Sequence, residues 1–156
     1  MRSVPVQPID KQAFAPFGTL ATVPTSPGRD YFDEDLGEVR GHAWPSLSLA
    51  TIEPSALPLV VEMMERHEHS SQSFIPLGPG RFLVLAAPPG PDEAPDMDRV
   101  RAFLVGPGQA ITYKIGAWHH PMTVLDRRLS FAITMWRDGT GGDEELVPVE
   151  PFRVVL

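Results

Sequence analysis

Leu59-Val60-Val61-Glu62-Met63-Met64-Glu65-Arg66-His67-Glu68-His69 is the stretch on which the fold turns. Met and Glu favour helix, and the run is long enough for one. Pro58 stands directly before it, and short Gly- and Pro-bounded segments flank it, which favours a strand. Read as a strand, it puts Glu65, His67 and His69 on one face and Arg66 and Glu68 on the other. Two imidazoles at this spacing, with Gln72 just beyond, converge on one point. Such a point suits a metal ion or a substrate carboxylate. The plain alternative is a solvated strand end, because Glu65, Arg66, Glu68 and Ser70 are all polar.

The answering segment is Tyr113-Lys114-Ile115-Gly116-Ala117-Trp118-His119-His120-Pro121. Here a glycine turn feeds a short strand carrying adjacent histidines, which must face opposite ways. One of His119 and His120 therefore looks into the interior, and the sequence leaves open which. With His119 inward, the candidate metal ligands are His67, His69, Gln72 and His119. An amide such as Gln72 is a weak, neutral ligand, so it would hold a metal less firmly than a carboxylate. Lys114 and Arg137 are candidate anchors for an anionic substrate, and ordinary surface charge is the competing role for each. Trp118, Trp136 and Phe74 belong to the core or a cavity wall. His42 stands alone and reads as a surface or packing residue.

Outward from these segments, the chain reads as short strands separated by turns. Leu47 and Leu49 alternate with Ser46, Ser48 and Ala50, which predicts a half-buried strand ended by Pro54. Ser73–Leu77 and Arg81–Ala86, around Gly78-Pro79-Gly80, predict a hairpin-like pair. His120–Leu125 and Ser130–Trp136, around Asp126-Arg127-Arg128, predict another. Further strands are expected at Thr19–Val23, Arg101–Val105, Ala110–Tyr113 and Pro148–Leu156. Short helical turns are expected at Ile9–Phe14, capped by Asp10, and at Asp96–Val100. Pro24–Arg40 reads as a polar, acidic loop. The expectation is a single mainly-β domain over residues 1–156, a small jelly-roll barrel with a few short helices.

Composition narrows the function. Twenty acids against thirteen Lys and Arg give a net charge of −7, with no clustered basic surface for nucleic acid. The chain has no cysteine, hence no disulfide framework and no thiol nucleophile. Eighteen prolines argue against an all-helical fold. No run approaches a membrane span and no signal-type apolar region opens the chain, so a cytoplasmic location is expected. Phosphate-binding glycine loops, Rossmann patterns and serine elbows are absent.

Several runs together resemble the ureidoglycolate lyase family. They are Ala13-Phe14-Ala15-Pro16-Phe17-Gly18, Leu57-Pro58-Leu59, and Glu65-Arg66-His67 with Gln72, Phe74, Ile75 and Pro76. Pro95-Asp96-Met97-Asp98, Arg101-Ala102-Phe103, Gly108-Gln109, Tyr113 and above all Trp118-His119-His120-Pro121 continue the match. The resemblance implies a cupin-type jelly-roll barrel, a homodimer, and cleavage of ureidoglycolate to glyoxylate and urea in allantoin (purine) catabolism. It also implies a divalent metal, commonly nickel. The chain departs from the family pattern at Glu68-His69-Ser70, so His69 is no family residue, and at Thr51, Ala43 and Trp136.

Cleaving such an anionic ureido acid requires a base for the hydroxyl proton, an acid for the leaving nitrogen and a cation for the carboxylate. His119 or His120 fits the proton-transfer role, with His67 and Gln72 shaping the metal or carboxylate site. Two other readings remain open. One is a metal-dependent oxygenase or isomerase acting on another small carboxylate, and the other is a non-catalytic small-molecule-binding barrel.

Overall fold

A computed structural model describes residues 1–156. Twelve strands, one four-residue helix and one 3-10 turn make up the regular structure. In chain order the strands are β1 (Ser3–Pro8), β2 (Gly18–Thr22), β3 (Trp44–Ile52), β4 (Leu59–His67), β5 (Gln72–Pro76) and β6 (Phe82–Ala87). They continue with β7 (Arg101–Val105), β8 (Gln109–Tyr113), β9 (Trp118–His119), β10 (Thr123–Val124), β11 (Leu129–Arg137) and β12 (Glu144–Val155). The helix α1 (Lys11–Phe14) starts where expected, with the Asp10 side chain accepting the Ala13 N–H at 2.9 Å. The 3-10 turn is Met97–Arg99.

Two sheets form the body. One runs β10-β6-β7-β1-β12-β4-β9, and β9 also pairs with β6, so six of its strands close into a ring. The other is open and runs β2-β8-β5-β11-β3. Val61, Met64, Leu83, Leu85, Trp118 and Val154 pack on one face of the ring strands. Phe82, Val84, Phe103, Phe74, Ile111 and Phe131 pack between the ring and the open sheet. Strand β6 thus has both faces covered, which is why all six residues of Phe-Leu-Val-Leu-Ala-Ala are apolar and buried. This is a closed, mainly-β barrel of the cupin type, with only short helices.

The uncertain stretch is a strand, and Leu59–His67 pairs antiparallel with β12. Both expected hairpins, however, are corrected. Strand β5 belongs to the open sheet and β6 to the closed one, and the same division separates β11 from β10. Gly-Pro and Asp-Arg turn signals mark where the chain reverses. Whether the next strand pairs with the last or crosses to the facing sheet depends on which sheet can cover its apolar sides. The leucine alternation in β3 is also real but faces outward: Leu47 and Leu49 are 68% and 71% exposed.

Strand β1 is not apparent from the sequence because Pro5 and Pro8 disfavour a central strand. The structure divides its pairing, with Ser3–Pro5 lying parallel to β12 and Val6–Pro8 parallel to β7. Neither proline then has to serve a ladder on both sides. At Gly18 any Cβ would stand 1.8 Å from the Thr112 carbonyl oxygen, so only glycine lets β2 approach β8 this closely.

Candidate active site

Alternation along β4 does what the sequence predicts. Arg66 points to the side of the ring-packing residues, its guanidinium 4.7 Å from the Trp118 ring and its Nε 2.7 Å from Glu145. Glu65 and His67 point the other way, toward the open sheet. Strand β9 is paired so that His119 lies directly opposite Glu65. The ligand atoms of Glu65, His67 and His119 all lie within 4.8 Å of one another.

Hydrogen bonding fixes how these rings present themselves. His119 Nδ1 is 2.9 Å from the Ala117 carbonyl oxygen, which can only accept, so Nδ1 carries the proton. His119 Nε2 then offers a lone pair, 3.3 Å from Glu65 Oε1. His67 Nδ1 lies 3.2 Å from another carboxylate oxygen, Asp143 Oδ2, in a close contact that falls outside hydrogen-bond geometry. One ring nitrogen from each histidine and one carboxylate therefore converge, and the two acceptors His119 Nε2 and Glu65 Oε1, in contact at 3.3 Å, require a cation between them. A proton or a divalent metal meets that requirement, and two histidines with one carboxylate form a known metal-binding set. The donors present therefore fit a divalent metal.

Tyr113 forms the opposite wall, its ring stacked on His119 with centroids 4.0 Å apart. Gln72 and Met135 are register partners across β5, with Tyr113 also opposite Gln72, so these three side chains share the inward face. Six buried side-chain atoms lack a hydrogen-bond partner: Arg40 Nε, His67 Nδ1, Gln72 Oε1, Tyr113 Oη, His119 Nε2 and Asp143 Oδ2. All belong to this cluster or to the cavity beside it. Such atoms are scarce in folded proteins, and their concentration here sets this cluster apart from the packed core.

Electrostatics follow from burial and proximity. Burial tends to raise the Glu65 carboxyl, but the close contact and charge of His119, with the charge of His67, outweigh it and hold Glu65 below the usual range. Burial lowers His67, and repulsion from His119 adds to this, against the pull of Asp143 and Glu65. Burial, then the Glu65 charge, push the Tyr113 hydroxyl well above its ordinary value, so it stays a neutral donor.

A cavity of about 300 Å³ opens beside His67, walled by Arg40, Met135–Arg137, Thr140, Gly141, Asp143 and Glu144. Arg40 is nearly buried and committed to Glu38 at 3.5 Å and Asp138 at 3.4 Å. Arg137 lies on the rim, exposed.

The structure thus brings His67, His119, Gln72 and Arg137 to one region. His120 takes the opposite face from His119 and is half-buried, its Nδ1 2.9 Å from the Pro121 carbonyl oxygen. His69 is not part of the three-ligand cluster. The strand ends at His67 and the chain bends, with the His69 N–H donating to Asp143 Oδ1 and its carbonyl accepting from Val39. Strand alternation therefore stops before reaching it. Lys114 is exposed and outside the cavity wall, and Trp118 is fully buried in the ring packing, its Nε1 donating to the Glu93 carbonyl.

Glu65 as ligand, Tyr113, Arg40 and Asp143 escaped the sequence reading as site residues. The Glu-x-His spacing at 65 and 67 held a signal for the first. Nothing local marks the others, which reach the site from β8, the early loop and the Gly-rich loop after β11.

Fold and site together define a cupin-type β-barrel with a two-histidine, one-carboxylate cluster whose His67 borders a cavity. The family profile for ureidoglycolate lyase matches residues 1–154. The chain is 37% identical to the ureidoglycolate lyase of Pseudomonas fluorescens (strain Pf0-1), covering 100% of this chain and 98% of that one. It is also 37% identical to the ureidoglycolate lyase of Stutzerimonas stutzeri (strain A1501), covering 92% and 88%. Among solved structures, a dTDP sugar isomerase from Desulfovibrio desulfuricans G20 superposes with a TM-score of 0.55 at 13% identity, covering 85% of this chain and 86% of that one. That likeness bears on the fold alone. The chain belongs to the ureidoglycolate lyase family.

Proposed function

We propose that this protein is a ureidoglycolate lyase that releases glyoxylate and urea at the Glu65–His67–His119 cluster. The observation that carries the reading is the concentration of unpartnered buried polar atoms around that cluster, next to a cavity of about 300 Å³. A small polar acid has the size and polarity to fill such a space.

In ureidoglycolate one carbon bears a hydroxyl, a carboxylate and the ureido nitrogen. Cleavage moves the hydroxyl proton to a base, closes the C–O bond to a carbonyl and breaks the C–N bond. The C–N electron pair leaves on urea nitrogen, which takes a proton. Because His119 Nδ1 is committed to the Ala117 carbonyl, only Nε2 exchanges protons, and Glu65 Oε1 shares what it holds. The pair accepts the hydroxyl proton and returns it to the leaving nitrogen. Arg137, exposed on the rim, would hold the carboxylate, and the buried Tyr113 Oη would serve as a neutral donor. Gln72 adds a fixed amide on the same face.

Glu65, His67 and His119 would also hold a divalent metal, nickel among the candidates, which when bound supplies a Lewis acid for the substrate hydroxyl. The proton and the metal are alternative occupants of one point. The test is glyoxylate and urea formation from ureidoglycolate by metal-stripped protein and by nickel-, manganese- or zinc-loaded protein. Activity that survives stripping supports the proton role, and activity restored by a metal supports the metal role. Absence of both products in every form overturns the reading.

The protein acts as a homodimer in this reading. Leu49, Ala132 and Ile75 lie in one register row across the open sheet. With Leu47 and Leu77 they give its outer face an apolar surface that a second copy would cover. No helix is long and apolar enough to cross a membrane.

A further inference from the structure

Asp143 stands at the end of the Gly-rich loop between β11 and β12 and is only 7% exposed. Three contacts tie it to the end of β4. Its carbonyl oxygen accepts the Glu68 N–H at 2.9 Å, its Oδ1 accepts the His69 N–H at 2.7 Å, and its Oδ2 lies 3.2 Å from His67 Nδ1. A carboxylate offers acceptors only, so the oxygen beside the imidazole favours a proton on His67 Nδ1.

The geometry points to Asp143 as the positioning residue that holds His67 in its Nδ1–H tautomer and so leaves Nε2 as the lone pair it can offer to the cluster. The tautomer stands on these contacts alone, while its consequence for turnover rests on the proposed lyase reading. A merely structural Asp143 would need only Oδ1, which caps the bend at His69. The second oxygen is buried, has no hydrogen-bond partner, and lies 3.2 Å from the imidazole nitrogen. Ligand histidines held through their far nitrogen are a recurrent arrangement, and loss of the holding group costs ~10–100-fold in metal affinity or activity.

Asp143→Asn separates the two roles. Asn has one acceptor oxygen where two donors face it. If that oxygen keeps the His69 N–H, its amide N–H₂ faces His67 Nδ1 and favours the Nε2–H tautomer. That tautomer would direct a proton, not a lone pair, at the cluster.

The experiment is ¹⁵N-resolved NMR of the His67 ring in metal-free, full-length protein, above the pH at which the ring titrates. The expected result is Nδ1–H in the native protein and a shift toward Nε2–H in Asp143→Asn, with the remaining amide spectrum unchanged. Glyoxylate release is expected to fall ~10–100-fold in the same variant. Asp143→Glu, which keeps two acceptors, should retain the native tautomer and covers the case in which the Asn variant fails to fold. A native His67 in the Nε2–H form, or a tautomer unmoved by Asp143→Asn, overturns the proposal. A tautomer that shifts in a protein that releases no glyoxylate upholds it and removes the lyase reading instead.

Discussion

The His119 and Tyr113 rings lie nearly parallel, 14° apart with centroids separated by 4.0 Å, and this stack joins the two sheets at the site. His119 comes from β9 in the closed sheet and Tyr113 from β8 in the open one. The stack limits rotation of the imidazole while the Ala117 carbonyl fixes its Nδ1 proton. Both restraints aim Nε2 at Glu65, which is what a group that must hold a proton or metal requires.

Tyr113→Phe keeps the stack and removes a buried hydroxyl that has no partner in the protein. Thermal unfolding should show unchanged or slightly higher stability, within ~1 kcal/mol, because no hydrogen bond is lost. Glyoxylate release should nevertheless fall by about tenfold, the loss of one neutral donor to the substrate. A variant of full activity would make the hydroxyl a bystander.

His119 and His120 should separate cleanly. His119→Asn removes the only exchangeable ring nitrogen of the Glu65 pair, and the rate should fall by ~10²–10⁴-fold. His120 faces away, bonded to the Pro121 carbonyl, so His120→Asn should change the rate by less than about threefold. Initial-rate kinetics on the two purified variants settle the comparison, and equal losses would contradict the assignment.

Asp138 gives the pH prediction. Hydrogen bonds from the Thr140 hydroxyl and backbone N–H, together with Arg40, hold its carboxyl at about 2 against an ordinary value of 3.8. The folded carboxylate binds its proton less readily than the unfolded one. Its stabilising contribution is therefore complete above pH 3.8 and is lost as pH falls from there toward 2. Asp138→Asn should lower the unfolding midpoint at neutral pH, and the gap from the native protein should close over that acid window. A pH-independent gap would mean that the effect is one of packing.

Leu49→Asp tests the proposed dimer. Leu49 is 71% exposed on the outer face of the open sheet, so a charge there costs the monomer little. Multi-angle light scattering should show the native protein as a dimer and the variant shifted toward monomer at micromolar concentration. A native monomer would leave the apolar face without a second copy.

The sequence by itself determined the elements that depend on short-range physics. Alternation along Leu59–His67 put Glu65 and His67 on one face and Arg66 on the other, Asp10 capped α1, and adjacency forced His119 and His120 apart. The Trp118-His119-His120-Pro121 element carried the family resemblance, and with it the barrel. Tertiary structure alone decided which strands pair. It sent β5 and β6, and likewise β10 and β11, to different sheets, because turn residues set a reversal but coverage of apolar faces sets the partner. It chose His119 over His120 through the pairing with Glu65, and it turned Leu47 and Leu49 outward. It also brought in Tyr113, Arg40 and Asp143, whose roles come from contacts between segments far apart in the chain. No local pattern encodes those contacts, because they exist only once the loops have closed around the buried end of β4.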